Sequence, residues 1–400
     1  MNSSQTNRSQ VKILAALTIA LFFILLNSGS PTPLYPLYQA TFSLSNIDLT
    51  LIFSSYGFGV LLALFLSRVL TITDKNARLL LVTSLMVVVV PTLCFSFAHS
   101  LQALCLFRFI SGLGAGTATA IINILLINFS RGDSAKRAAL LGSLALVTGL
   151  ALGPVISSVY AQLAFYPLAS PAVTIAALVF LSAVVIVLLW PKNTSLSADV
   201  AGVNTAENDI GFRKPLFYLL ALCVFISWSY AALILSLGTT TAIDVFGLQS
   251  PAYFGYIATA YLLLAGLVQF TLPRFMKPEF SLVLGLVVQI FAMLIMSMAL
   301  ESGSVPSAAF SLALSGFSYG AVFVGGAIMV NKISLTAPGW NAVSKFYFIV
   351  YLFNITPLAA GWLADKMGVF SALLAAISIF IVIYIVFAAL ALWQLLLRKA

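Results

Sequence analysis

The sequence predicts an all-α membrane protein of twelve transmembrane helices, arranged as two six-helix pseudo-repeat bundles. Three observations lead there. Hydrophobic residues make up 62% of the 400 residues and charged residues only 7%, too little polar material to cover a water-soluble surface. The apolar residues gather into runs of about 20, the length an α-helix needs to cross a hydrocarbon core of about 30 Å. Of the nineteen Lys and Arg, all but Arg108 and Lys366 fall in or beside alternate connections between those runs.

Six runs lie near 12–31, 48–70, 79–98, 102–128, 138–162 and 170–190. Six more lie near 215–240, 251–272, 280–300, 306–330, 344–362 and 369–396. Helices are the expected form, because each satisfies its own backbone hydrogen bonds where lipid offers no partner. The runs are too long and too uniformly apolar for barrel strands, which alternate over about ten residues. Each run of the first set pairs with one of the second at an offset of about 200 residues, the mark of a parallel repeat. The polar stretch from Pro191 to Pro215 separates them. The expected organisation is therefore an amino-terminal bundle over 1–190, a cytoplasmic linker over 191–214 and a carboxy-terminal bundle over 215–400.

The connections take sides. One set carries Arg8, Lys12, Arg68, Lys75, Arg78, Arg131, Lys136, Arg137, Lys192, Arg213 and Lys214, and continues with Arg274, Lys277, Lys332, Lys345, Arg398 and Lys399. The other carries Lys366, His99 and the acids Asp48, Asp244, Glu301 and Asp365. The positive-inside rule then places both termini in the cytoplasm, and the expected membrane is the inner membrane of a bacterium. The net charge of +9 follows from this bias and implies no nucleic-acid partner. Arg8, Lys12 and the apolar run before Ser28, Gly29 and Ser30 also fit a cleavable signal peptide, which would leave eleven spans and break the pairing. Cys94, Cys105 and Cys223 all fall inside runs and read as small buried residues rather than a disulfide framework.

Three motifs are more specific. The fifth run reads GLALGPVISS from Gly149 to Ser158. Gly149 and Gly153 share a helix face and admit a close neighbour, while Pro154 removes a backbone donor and bends the helix. The fourth run reads RFISGLGAG from Arg108 to Gly116, and Arg108 is the one charge well inside a span. The loop LTITDKNAR holds Asp74, Lys75 and Arg78. Together these resemble the g-x-x-x-G-P, R-x-x-x-G-x-G and D-r-x-G-r motifs of drug/proton antiporters of the major facilitator superfamily, over the whole chain. Ser157 and Ser158 replace two glycines of the first motif, and Leu70 and Ala77 replace the glycines of the loop. The resemblance implies the major facilitator fold and a rocking cycle between inward-open and outward-open states. It gives Arg108 a part in proton coupling or substrate contact, with Gly112 beside it. It assigns Gly149, Gly153 and Pro154 to export, and Asp74, Lys75 and Arg78 to a charge latch. A tidier copy of the loop motif, GWLADKMG from Gly361 to Gly368, falls on the opposite side of the membrane and reads as a decoy.

The resemblance also places eight spans around a cavity, and helical spacing narrows the candidates there. Arg108, Gly112, Thr119 and Asn123 share one face of the fourth span. Tyr347, Tyr351 and Asn354 recur along the eleventh, before Pro357. Asn27 marks the first span, whose exit reads SPTPLYPLY; Tyr56, Trp228 and Tyr256 mark the second, seventh and eighth. Aromatic walls with a few amides suit amphipathic or cationic organic compounds, though Tyr and Trp also populate interfacial belts. Substrate is expected near Arg108, Asn123, Tyr351 and Asn354.

None of the ten Asp and Glu sits deep in a span, so proton coupling rests on the resemblance, with Asp48 and Asp74 the nearest carriers. The leading expectation is a monomeric exporter in the lipid bilayer that moves a small-molecule substrate, drawing on a proton gradient and needing no cofactor. A sugar or metabolite exporter or importer is the alternative, and a receptor or scaffold without transport is a third. No nucleotide-binding loop or metal-ligand cluster is legible, so neither an enzyme nor an ATP-driven pump is expected.

Overall fold

The computed structural model describes residues 3–67, 72–130, 133–191, 214–336 and 340–397. Most of the linker expected over 191–214 lies outside the described residues, as do Arg68, Arg131, Lys192, Arg213, Arg398 and Lys399. The same holds for the side chains of Arg8, Lys136 and Arg137.

The described chain is helical throughout. Its α-helices are α1 (Ser3–Gly29), α2 (Tyr35–Phe42), α3 (Asn46–Leu66), α4 (Ala77–Phe95), α5 (Leu101–Phe129), α6 (Asp133–Leu163) and α7 (Ser170–Leu189). They continue with α8 (Lys214–Asp244), α9 (Pro251–Thr271), α10 (Pro278–Ser302), α11 (Val305–Thr336), α12 (Ala342–Tyr351), α13 (Ile355–Met367) and α14 (Val369–Leu392). Among the described residues, twelve helical stretches are long and apolar enough to cross a membrane. Large apolar side chains stand exposed along them, Leu188 at 77%, Val382 at 62% and Leu267 at 58%, a surface that hydrocarbon rather than water would wet.

Two spans are broken where an unbroken helix was expected. The first runs as Gln10–Phe42, continuing past the expected end near residue 31 through a 3-10 turn over Thr32–Leu34 into α2. SPTPLYPLY is thus helical rather than an exit. Its prolines fall at the start of helical segments, where the missing N–H is an orphan anyway. The eleventh span, Ala342–Met367, passes through a 3-10 turn at Leu352–Asn354 between α12 and α13.

Contacts divide the chain into two compact units, one of residues 1–38 and 55–202, the other of 39–54 and 203–400. The core of the first gathers Leu17, Leu21 and Ile24 of α1 with Leu85 and Val88 of α4, Ile121 and Leu125 of α5, and Ile175 and Val179 of α7. The core of the second gathers Leu220 and Val224 of α8, Leu286 and Met293 of α10, Val322 of α11 and Tyr384 of α14.

Backbone contact between helices depends on glycine. In the first unit α5 crosses α3 so closely that a Cβ on Gly112 would lie 2.1 Å from the Tyr56 carbonyl oxygen. α6 lies on α1 in the same way: a Cβ on Gly153 would meet the Leu26 carbonyl oxygen at 2.4 Å, and one on Gly149 that of Phe22 at 2.5 Å. Without water to squeeze out, such small-residue seams are how helices associate in lipid.

Gly112→Val should therefore lower stability by about 1–3 kcal/mol, because the obstacle is backbone. Gly142→Ala, whose added methyl would meet the end of the Leu126 side chain at 3.1 Å and Asn123 Oδ1 at 3.9 Å, should stay within about 0.5 kcal/mol. Thermal unfolding of both variants in one detergent measures the difference.

Candidate functional site

Among the described residues, each unit carries a cluster of polar or aromatic side chains inside its helices. In the first it forms at the break after α1. An α-helix bonds each N–H to the carbonyl four residues back, so Pro31, which has no N–H, orphans the carbonyl of Asn27. The chain then tightens into the 3-10 turn, where the Leu34 N–H bonds the Pro31 carbonyl at 2.9 Å.

Arg108, seven residues into α5 and 2% exposed, supplies what the break removes. Its Nη1 donates to the Asn27 carbonyl and its Nη2 to the Ser28 carbonyl, each at 2.9 Å. The guanidinium carbon lies 4.4 Å from the centroid of the Tyr56 ring. Its partners are thus two backbone carbonyls at the negative end of a helix and an aromatic face. Tyr35 and Tyr38, both buried, also lie within its electrostatic reach. Arg108 Nε and the Tyr35 hydroxyl are not taken up by protein groups.

The side chain of Asn27 donates to Thr92 Oγ1 of α4 at 3.1 Å, and the Tyr38 hydroxyl donates to the Leu168 carbonyl at 3.2 Å. Ser30 and Ser157 share a hydrogen bond of 2.8 Å beside Gly153 and Pro154. The GLALGPVISS segment therefore packs against the break itself. Pro154 Cδ lies 3.2 Å from where a Cβ on Gly29 would stand.

Asn27, Tyr56, Arg108, Gly112, Gly149, Gly153 and Pro154 thus gather about one break. Thr119 and Asn123 do not join them. They share the Arg108 face of α5, but eleven and fifteen residues at about 1.5 Å each put them roughly 16 and 22 Å further along. The expectation that one small molecule binds near both Arg108 and Asn123 fails on this height.

Arg78 Nη2 donates to the Val187 carbonyl of α7 at 3.2 Å, a cation at a helix carboxyl end within the same unit. Asp74 and Lys75 are exposed.

In the second unit the cluster is aromatic. Trp228 of α8 is ringed by Tyr319 at 6.2 Å, Phe323 and Tyr351 at 5.6 Å, and Phe353 at 5.4 Å between ring centroids. Tyr319 in turn touches Tyr261 of α9 at 6.0 Å. These five central rings, from α8, α11, α12 and the 3-10 turn, are all partly exposed, and the Trp228 Nε1–H is not bonded by a protein group. Asn354 is buried, its amide donating to the Tyr351 carbonyl at 2.8 Å, so it holds the broken eleventh span rather than facing a ligand. Tyr347 packs on Phe346 at 5.3 Å, and Tyr256 is partly exposed on α9, one and a half turns before Tyr261.

Tyr319, Phe323 and Phe353 were not singled out by the sequence. The signal was there: Tyr319 and Phe323 stand four apart on one helix face. A recess elsewhere in this unit, among Tyr230, Phe254, Met296, Leu312 and Ile377, is lined mostly by apolar side chains, and the Thr241 hydroxyl there is bonded to the Leu237 carbonyl. Among the described residues no three His, Cys, Asp or Glu gather as metal ligands.

The model of the Major Facilitator Superfamily matches residues 17–337, and the chain belongs to that family. It is a multi-pass membrane protein with the fold of a transporter. The solved structure of a bacterial homologue of the human lysosomal transporter Spinster, inward-facing and occupied, superposes with a TM-score of 0.72 at 17% identity, over 95% of this chain and 96% of that one. The nucleoside transporter NupG, in a mutant form, superposes with a TM-score of 0.73 at 13% identity, over 96% of this chain and 100% of that one. At such identities the likeness is one of fold. No curated protein sequence matches the chain.

If Arg108 replaces the donor that Pro31 lacks, the two positions are coupled. Arg108→Ala should cost about 2 kcal/mol, since it removes the donor to the buried Asn27 carbonyl and a second one to the partly buried Ser28 carbonyl. Adding Pro31→Ala to that variant should return about 1 kcal/mol by restoring an N–H opposite Asn27. Unfolding midpoints of the four proteins of the double-mutant cycle test this.

Proposed function

We propose that the chain is a secondary transporter that exports small amphipathic or cationic organic compounds by alternating access, in exchange for protons. It would work in a bacterial inner membrane, with both termini in the cytoplasm and as a monomer without a cofactor. The observation that carries the substrate class is the ring cluster at Trp228. Five partly exposed aromatic rings offer a planar, polarisable wall, and the free indole N–H offers one directed donor. A cation over such rings gains about 0.5–2 kcal/mol, more as water leaves.

Direction and energy source rest on the motif resemblance. The Gly149, Gly153 and Pro154 seam supports export through its place beside the Ser30–Ser157 contact and the break of the first span. Arg108 has no carboxylate among its bonded partners, so a proton carrier has to lie elsewhere in the chain. Asp48 closes a capping box with Ser45 at the start of α3, accepting from its N–H at 2.9 Å, while Asp74 stands exposed. A metabolite with a planar heterocycle, such as a nucleoside, suits the same rings and is the second reading, in line with a neighbour named as a nucleoside transporter.

Purified protein in liposomes should move ethidium faster when a pH gradient is imposed, and Trp228→Ala should slow that flux about tenfold, one cation–π contact's worth. Pro154→Leu should slow it as well. Equal flux with and without the gradient removes proton exchange. Uridine flux without ethidium flux selects the second reading, and flux of neither overturns transport of this substrate class.

A further inference from the structure

The segment GWLADKMG, which reads as a decoy in the sequence, makes a polar contact in the second unit through Asp365. The first four N–H groups of a helix have no partner within it. At α3 the local sequence accounts for two. Ser45 and Asp48 form a reciprocal box, with the Asp48 N–H donating to Ser45 Oγ at 3.3 Å and the Ser45 N–H to Asp48 Oδ2 at 2.9 Å; the Leu49 N–H reaches the Ser45 carbonyl at 3.2 Å.

That leaves the N–H groups of Asn46 and Ile47. Asp365, at the end of α13 and more than 300 residues away, takes both. Its Oδ1 accepts from the Asn46 N–H at 2.7 Å and from the Asn46 side-chain amide at 3.0 Å, and its Oδ2 accepts from the Ile47 N–H at 3.0 Å.

The rest of the motif serves the same contact. Gly361, one turn before Asp365, lets α13 touch α3: a Cβ there would lie 2.3 Å from Thr50 Oγ1 and 2.9 Å from the Asn46 carbonyl oxygen. Gly368, at φ +82°, turns the chain directly from α13 into α14. Asp365 remains exposed, so water can take over its bonds, and the Ser45–Asp48 box holds the helix start if it lets go. α3 itself is divided: residues through 54 pack in the second unit, and residues from 55 on pack in the first.

We propose that Asp365 is a positioning residue that clasps the amino end of α3, and that making and breaking this clasp gates residues 39–54 during the transport cycle. The clasp sits on the side of the membrane opposite the Lys- and Arg-rich connections, the outer side by charge bias. The carboxylate is essential because both acceptor oxygens are used; Gly361 supplies the approach. The inference rests on the alternating access proposed above, and its test does not depend on any substrate.

Spin labels at Thr41→Cys and Met367→Cys, in full-length protein with Cys94 and Cys105 changed to Ser and Cys223 to Ala, read the distance across the clasp in lipid nanodiscs. With Asp365 intact a short distance should dominate. Asp365→Asn, which removes the charge and one acceptor, should raise the long-distance fraction about tenfold with an unchanged melting temperature. Asp365→Glu should retain the short distance. If the Asn variant does not fold, Gly361→Leu, which pushes the helices apart with the carboxylate in place, should give the same long distance. An unchanged distribution, or a lower melting temperature with a single short distance, overturns the clasp. Absence of flux from the unmodified protein in liposomes, with the distances as stated, would overturn the transport reading and leave the clasp standing.

Discussion

A carbonyl that loses its helical donor inside hydrocarbon has no water to turn to, and this constraint organises the amino-terminal half of the protein. Pro31 orphans the Asn27 carbonyl in mid-span, and Arg108 answers with two N–H groups, one each to Asn27 and Ser28. Read from the arginine, the same pair solves the opposite problem. A buried guanidinium needs acceptors, and the carboxyl end of α1 offers two carbonyls with a partial negative charge behind them. Each makes the other tolerable, which is why a charge survives deep in α5 with no acid among its bonded partners.

The small residues follow from that geometry. To bring Arg108 against α1, α5 must cross α3 at the distance that Gly112 permits, and α6 must lie on α1 through Gly149 and Gly153. Ser30 and Ser157 then bond across the seam at the level of the break. The second unit uses a different chemistry. Its eleventh span is broken too, but Asn354 caps the break locally through the Tyr351 carbonyl, and this orients Tyr351 and Phe353 toward Trp228. One half thus carries a fixed charge on backbone and the other a wall of rings.

Much of the fold was legible because lipid leaves few choices. Runs of about 20 apolar residues can only be spanning helices, and basic residues on alternate connections fix the count. The two breaks were not legible, since hydropathy records composition and not helix continuity: the three prolines of SPTPLYPLY, with Ser30 and Thr32, read as the end of the helix that they extend. Tyr35 and Tyr38 were lost beyond the assumed end of that span. Arg108 stood out as a lone charge, but its partners are backbone atoms, which no side-chain pattern displays. Asn123 was misplaced because a helical face gives angle without height. Tyr319, Phe323 and Phe353 were hidden by abundance, with 31 Phe and 14 Tyr in the chain and only their three-dimensional convergence on Trp228 to distinguish them. Asp365 was discounted because its motif was judged by a role known on the other side of the membrane, whereas what it does follows from two unpaired N–H groups far away in sequence.

The most direct measurement is a magic-angle-spinning NMR dipolar experiment on full-length protein in lipid, with nitrogen-15 in the arginine side chains and carbon-13 in the backbone carbonyls of asparagine and serine. The account predicts couplings from the Arg108 Nη atoms to the Asn27 and Ser28 carbonyl carbons, of the strength that N–O separations of 2.9 Å require. Absence of both couplings, or coupling of the Arg108 guanidinium to a carboxylate carbon instead, would contradict it.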